Sequence, residues 1–110
     1  MKYKKIEMMS KEHALIELAS NDSKRISKAL LSLTLHENDY DWLSQLCIRY
    51  LNYDDRNVQS TAIPSIGHIA RLHGRIDKTR VIPILEKLKK VDELSGKVED
   101  ALDDISMFAG

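Results

Sequence analysis

Residues 55–74, DRNVQSTAIPSIGHIARLHG, are the stretch from which the fold of this 110-residue chain is best predicted. Apolar side chains recur in it every three or four residues, at Val58, Ala62, Ile66 and Ile69. This spacing predicts one apolar stripe along a helix. Asp55 stands where an N-cap is expected, and Gly74 stands where a glycine commonly ends a helix. The stretch therefore predicts an amphipathic helix with both ends defined.

The same pattern occurs twice more, as DSKRISKALLSL at residues 22–33 and as SGKVEDALDDI at residues 95–105. Aligning Ala29, Ala62 and Ala101 also superposes apolar residues one and four positions later, at spacings of 33 and 39 residues. Periods of this length are typical of helical solenoids, in which each helix pair buries its apolar stripe against its neighbours. The repeats therefore predict a binding module.

The whole chain reads as one all-α domain, residues 1–110, with six helices in three antiparallel pairs. The helices are expected at about 10–20, 22–36, 40–52, 55–73, 78–91 and 95–107, with residues 91–95 as a turn. The pairs form repeats at about 10–36, 39–73 and 78–107, after a flexible lead-in at 1–9. No stretch alternates with period two, so little or no β-structure is expected.

Two segments resemble a known family. The pattern D-x-x-V-x-x-x-A-x-x-x-[IL]-G at Asp55–Gly67 resembles the second helix of a HEAT repeat, and Val81–Leu88, with its early proline, resembles the first helix. The resemblance covers about residues 10–107 and implies a right-handed α-α superhelix, a HEAT/armadillo-like solenoid. Gln59 departs from the family pattern, which has an arginine there. Arg25 and Lys97 stand where the pattern has its valine.

A narrower resemblance concerns function. Residues 67–74 followed by 98–105 resemble small bacterial HEAT-repeat proteins, some of which are immunity proteins to contact-dependent growth inhibition toxins. The resemblance implies a non-catalytic protein that neutralises a cognate bacterial toxin by stoichiometric binding. It implies a protein partner and no cofactor.

Composition agrees with a soluble globular protein, with 43% hydrophobic and 31% charged residues. Seventeen basic residues balance seventeen acidic ones, so net charge does not favour nucleic acid. One cysteine excludes an internal disulfide. The sequence shows neither a secretory signal nor an apolar run long enough to span a membrane, so a cytoplasmic protein, monomeric when free, is expected.

The sequence does not predict an enzyme. His68 and His73 are five residues apart, or about 140° around a helix, so they cannot share a metal. Asp103 and Asp104 are adjacent and point in different directions, so they form no acid–base pair. No phosphate-binding glycine loop, nucleophile elbow or zinc motif is present. No catalytic residue and no metal site are therefore expected.

The row of second helices is the predicted partner-binding surface. With Ala62 facing the core, the outward positions include Pro64 and Gly67 on the fourth helix and Ser27 and Thr34 on the second. The residues expected to bind the partner are Leu31, Ser60, His68, Arg71, Glu99, Asp100, Asp103 and Asp104. A shallow surface with carboxylates at one end suits a protein with a basic patch better than a small molecule. The alternative is that the carboxylates bind no partner and only form a solvated end cap.

Two further alternatives remain open. Residues 71–90 contain seven basic and two acidic residues, a balance of +5, whereas residues 92–104 contain one basic and six acidic, a balance of −5. The basic stretch would suit a HEAT-like nucleic-acid-binding protein. The chain could also be a scaffold subunit of a larger assembly.

Overall fold

Side-chain caps define where most of the helices begin. The computed structural model describes residues 9–109, which form six helices and no strand. The helices are α1 (Lys11–Leu18), α2 (Ser23–His36), α3 (Tyr40–Leu51), α4 (Arg56–His73), α5 (Lys78–Leu88) and α6 (Asp92–Phe108). The lead-in at residues 1–8 lies outside the described residues. Met9 packs against the core, and its backbone N–H donates to Ser32 Oγ at 3.1 Å.

The predicted N-cap at Asp55 is confirmed, and Ser10, Asp22 and Asp77 cap three other helices in the same way. The side chains of Ser10, Asp22, Asp55 and Asp77 each accept a hydrogen bond from a backbone N–H in the first turn of the helix that follows. Gly74 ends α4 with φ of 75°, in the left-handed region where a side chain is strained. The cap residues thus position the helix ends, as the sequence indicates.

The predicted start of the sixth helix at about residue 95 is wrong. α6 begins at Asp92, and its N-cap, Val91, provides no side-chain hydrogen bond. Asp92 and Glu93 place two carboxylates in the first turn, where the helix dipole favours negative charge. The expected turn at 91–95 is therefore mostly helix, and α5 ends earlier than expected, at Leu88.

Helix α4 is the centre of the packing. It contacts α2, α3 and α6, while α1 packs on α2 and α5 packs on α6. The three aligned alanines, Ala29, Ala62 and Ala101, are all buried in the core. Their small side chains let neighbouring helices approach closely. The three helices with the recurring pattern are thus in contact in the order α2, α4, α6.

Two positions that depart from the HEAT pattern have a simple structural explanation. Arg25 and Lys97 are exposed, and the next residue, Ile26 or Val98, is fully buried instead. In α4 both positions are buried, since Val58 is fully buried and Gln59, the next residue, is also buried. The Gln59 amide donates to the Leu51 carbonyl at 3.2 Å, which satisfies a polar group in the core.

No helix in the described part of the chain is both long and apolar enough to cross a membrane.

Candidate protein-binding surface

Helices α2 and α4 border a groove that contains several predicted binding residues. We call it the α2–α4 groove; its volume is about 320 Å³. Its lining consists of Leu31, Thr34, Leu35, Ser60, Thr61, Pro64, Ser65, His68, Arg71 and Lys97. Four of the eight predicted residues, Leu31, Ser60, His68 and Arg71, are therefore brought together here.

A second depression of about 190 Å³ lies beside the groove, between α4 and α6. We call it the α4–α6 hollow; its lining consists of Pro64, Arg71, Lys97, Asp100, Ala101 and Asp104. Pro64, Arg71 and Lys97 belong to both linings, so the two depressions form one continuous surface. Asp100 and Asp104 thus join the predicted surface. Glu99 and Asp103 are exposed on α6 but belong to neither lining.

Pro64 explains why Lys97 lies in both depressions. Helix α4 continues across Pro64, although proline has no N–H to donate to the carbonyl four residues earlier. That carbonyl belongs to Ser60, and it accepts a hydrogen bond from Lys97 Nζ of α6 at 3.3 Å. A side chain of the neighbouring helix thus takes the place of the missing backbone donor. The sequence reasoning missed Lys97; the signal was a proline within a helical pattern, which frees a carbonyl oxygen.

Arg71 and Asp104 form an ion pair above Gly67. Arg71 Nη1 donates to Asp104 Oδ2 at 2.7 Å, and the Asp104 side chain is only 21% exposed. A Cβ atom on Gly67 would lie 2.7 Å from the same carboxylate oxygen and 3.4 Å from the Ala101 Cα. The absence of a side chain at Gly67 therefore makes room for Asp104. Asp104 and Arg71 therefore partly neutralise each other's charge.

Two residues predicted to face outward are buried. Gly67 is covered by α6, and Thr34 is only 4% exposed at the contact between α2 and α4. Thr34 Oγ1 lies 2.8 Å from both the Leu30 carbonyl oxygen and Ser65 Oγ. The prediction assumed that the side opposite Ala62 faces solvent. It fails because α4 has α2, α3 and α6 as neighbours, so that Pro64 is exposed whereas Gly67, one turn later, is covered.

His68 contributes a neutral ring to the groove at pH 7. Partial burial lowers its pKa from the ordinary value of 6.5, and the positive charge of Arg71 lowers it further. A neutral imidazole can donate one hydrogen bond and accept another. The positive charges that line the groove at neutral pH are therefore those of Arg71 and Lys97.

The three arginines of the basic stretch are engaged within the chain. Arg71 pairs with Asp104, Arg75 pairs with Asp41 at 3.4 Å, and Arg80 donates to the Gln45 side-chain oxygen. The carboxylates of Asp104 and Asp41 offset part of the excess positive charge of residues 71–90, whereas the neutral Gln45 only occupies a donor of Arg80. These contacts weigh against the use of this stretch as a phosphate-binding surface.

Other candidate sites offer less. Within residues 9–109, no group of three or more His, Cys, Asp or Glu side chains is arranged to hold a metal ion. A further depression of about 280 Å³ lies at Leu15, Trp42, Gln45, Leu46 and Arg49, between α1 and α3. Lys11 Nζ lies 4.0 Å from the centre of the Trp42 ring at this end of the molecule. Of the eight predicted site residues, none belongs to this depression.

Comparison with solved structures shows a likeness over nearly the whole chain. No family model matches the sequence, and no curated protein matches it. Among solved structures, the chain is similar to one in the crystal structure of a CDI complex from Cupriavidus taiwanensis LMG 19424. The TM-score is 0.78 at 25% sequence identity, and the match covers 98% of this chain and 96% of the other. The likeness therefore extends over nearly the whole of both chains.

Proposed function

We propose that this chain is a non-catalytic immunity protein that neutralises a cognate bacterial toxin by stoichiometric binding. The observation that carries the proposal is the full-length likeness to a chain of a CDI complex, with a TM-score of 0.78 and coverage of 98% and 96%. The resemblance of residues 67–74 and 98–105 to HEAT-like immunity proteins of contact-dependent growth inhibition systems points to the same class. The two observations are of different kinds, since one concerns backbone geometry and the other residue identities.

The proposed architecture is a HEAT-like α-α superhelix of three helix pairs. Contacts of α2 with α4 and of α4 with α6 support it, as do the pairs α1–α2 and α5–α6. In such a fold the second helices form one surface, which suits recognition of another protein. We define the docking face as the two depressions together with Glu99 and Asp103 on α6.

The shape and charge of the docking face favour a protein partner. The depressions, of about 320 and 190 Å³, lie at or below the lower end of the range for small-molecule pockets. They are open and shared by three helices, and they combine exposed apolar side chains with charged ones. A protein surface can follow such relief, whereas a small ligand would remain largely in contact with water. We propose that the free protein is a cytoplasmic monomer.

Growth rescue tests the proposal. The toxic domain encoded beside this chain would be expressed from an inducible promoter in a susceptible bacterium, alone or together with the chain. We expect arrest without the chain and normal growth with it, because a stoichiometric inhibitor acts when its concentration matches that of the toxin. An immunity protein from an unrelated toxin, produced at the same level, serves as the control. Arrest in the presence of soluble chain would rule out neutralisation.

A salt titration tests the nucleic-acid alternative separately. The docking-face proposal predicts that the chain elutes from a DNA or RNA column below physiological salt, because three of its arginines are held by groups of the chain itself. Retention above that concentration would instead favour the basic stretch at residues 71–90 as a nucleic-acid surface.

A further inference from the structure

The charged side chains that line the α2–α4 groove are all basic. They are Arg71 and Lys97, beside the neutral ring of His68, and the lining contains no aspartate or glutamate. The chain as a whole is neutral, so this one-sided lining does not follow from its composition. A groove of one sign favours a ligand group of the opposite sign, both in binding and in the rate of encounter.

Lys97 is the cation in the groove that remains available. Its Nζ atom donates to the Ser60 carbonyl at 3.3 Å, and no carboxylate in the described chain forms an ion pair with it. The ammonium group has three donors, so two remain after this bond. The bond also holds the ammonium group against α4, beside the groove. Arg71 is less available, because Asp104 occupies Nη1 at 2.7 Å.

The opposite side of the groove is apolar. Leu31 and Leu35 lie on α2, and Leu35 remains 46% exposed. Pro64 is exposed on α4 between these leucines and the basic residues of the lining. An apolar side chain of a ligand would be removed from water against the leucines, whereas a carboxylate would be placed near Lys97.

We propose that the α2–α4 groove receives a segment of the partner protein that presents a carboxylate side chain to Lys97 and a neighbouring apolar side chain to Leu31 and Leu35. This inference rests on the proposed function, since the partner is the toxin. It specifies the chemistry of the contact: an aspartate or glutamate next to an apolar residue on the toxin surface. Arg71 and the neutral His68 provide further donors to the same carboxylate.

Charge variants of Lys97 test the contact in the complex. The affinity for the toxin domain would be measured by calorimetry for Lys97→Gln and Lys97→Glu, with Lys87→Glu on α5 as the matched control, because Lys87 is exposed and outside both depressions. We expect losses of about tenfold and about 100-fold for the two Lys97 variants, and less than about threefold for the control. Unchanged affinity of Lys97→Glu, in a chain that still neutralises the toxin, would overturn the inference and leave the proposed function intact.

Rescue by a compensating change identifies the partner residue. Each surface aspartate and glutamate of the toxin domain would be changed to lysine and tested against Lys97→Glu. We expect one of these toxin variants to bind the Lys97→Glu chain more tightly than the wild-type toxin binds it, because the two charges have been exchanged. If no acidic residue of the toxin couples to Lys97, the proposed contact is excluded.

A third experiment does not need the toxin. Nuclear magnetic resonance spectra of the labelled chain would be recorded with an acetylated, amidated tetrapeptide of alternating leucine and glutamate, and with its leucine–lysine counterpart. At millimolar concentrations we expect the amide signals of Ser60, His68 and Lys97 to shift with the acidic peptide only, and not in Lys97→Glu. Equal shifts with both peptides, or none with the acidic one, would overturn the inference. Larger shifts at these amides with a short oligonucleotide would assign the groove to phosphate instead.

The measurements with the toxin and the peptide titration separate the possible failures. If the toxin domain neither binds nor is neutralised, the proposed function fails, and the peptide titration still decides the chemistry of the groove. If the toxin is neutralised but Lys97 variants bind it normally and the peptide causes no shift, only the inference fails.

Discussion

Asp55 is the residue that connects a local helix signal to the packing of two helices. Its carboxylate accepts the backbone N–H groups of Asn57 at 2.9 Å and Val58 at 3.1 Å, which caps α4. The same oxygen accepts the Ser23 hydroxyl at 3.0 Å, at the first residue of α2. The hydrogen bond from Val58 is the main cause that lowers the pKa of Asp55 below its ordinary value of 3.8, with further contributions from Ser23 and Asn57.

This lowered pKa predicts a pH dependence of stability. Because the folded state binds the Asp55 proton less readily than the unfolded state, Asp55 stabilises the fold above its ordinary pKa. That contribution is lost as pH falls from about 4 towards the lowered value. Asp55→Asn keeps a good cap that cannot titrate. We therefore expect wild type to lose stability relative to Asp55→Asn as pH decreases from about 5 to about 3, measured by urea unfolding. If the free energies of unfolding of wild type and Asp55→Asn changed with pH in parallel, this account would be contradicted.

Cys47 gives a second prediction at the residue scale. Its side chain is fully buried, and burial raises its pKa to about 12, although hydrogen bonds with Thr34 and Ser65 oppose the rise. At pH 8 only about one thiol in ten thousand would be ionised, and only the thiolate reacts. We expect no measurable reaction of the folded protein with a disulfide reagent over minutes, and stoichiometric reaction in denaturant. Rapid labelling of the folded chain would show that the site opens.

At the scale of elements, α4 combines two residues that usually weaken a helix. Pro64 removes a backbone hydrogen bond and Gly67 has low helix propensity. Each is matched by α6: Lys97 donates to the carbonyl that Pro64 leaves free, and Asp104 fills the space above Gly67. The contact between α4 and α6 thus depends on side chains that a helix propensity scale would disfavour.

The same substitution at two glycines distinguishes the effect of a close helix contact on stability from the effect of helix propensity. Gly67→Leu should lower the free energy of unfolding by about 1–3 kcal/mol, because its side chain must displace Asp104 and push α6 away. Gly96→Leu should raise it by about 0.5 kcal/mol, since nothing lies within 4 Å of a Cβ there and leucine favours helix. Urea denaturation of both variants checks the pair. Equal changes would mean that α4 and α6 do not meet closely at Gly67.

At the scale of the whole molecule, the chain places opposite charges on adjoining surfaces. The α2–α4 groove is lined by basic residues, whereas Glu99 and Asp103 are exposed on α6 and their side chains form no hydrogen bond or ion pair with another described residue. A partner that covers both would need acidic and basic groups in matching places. This arrangement favours specificity, because a wrong partner would meet like charges.

The double variant Glu99→Lys with Asp103→Lys tests the acidic part of the docking face. We expect the affinity for the toxin domain to fall about tenfold, through loss of attraction to a basic patch. The thermal midpoint should not change, since neither side chain supports the fold. Glu86→Lys on α5 is the control, because it changes an exposed carboxylate outside the docking face. Full affinity of the double variant would restrict the docking face to the two depressions.

The sequence predicted the elements better than the surface. Apolar spacing and caps identify six helices, because the residues that form the apolar stripe and the caps of a helix lie close together in the sequence. The expectation that Gly67 and Thr34 face outward is wrong, because exposure depends on how many helices pack against a given helix. That number cannot be read from the repeat pattern. Lys97 was missed because its partner, the Ser60 carbonyl, lies 37 residues away. Six of the eight predicted site residues nevertheless line the two depressions.

We propose that one chain binds one toxin molecule. Calorimetric titration of the purified toxin domain into the chain measures this ratio, and light scattering gives the mass of the product. We predict saturation at one toxin per chain, nanomolar affinity and a one-to-one complex, as expected of an inhibitor that must act at low concentration. Absence of binding heat together with separate elution of the two proteins would contradict the account.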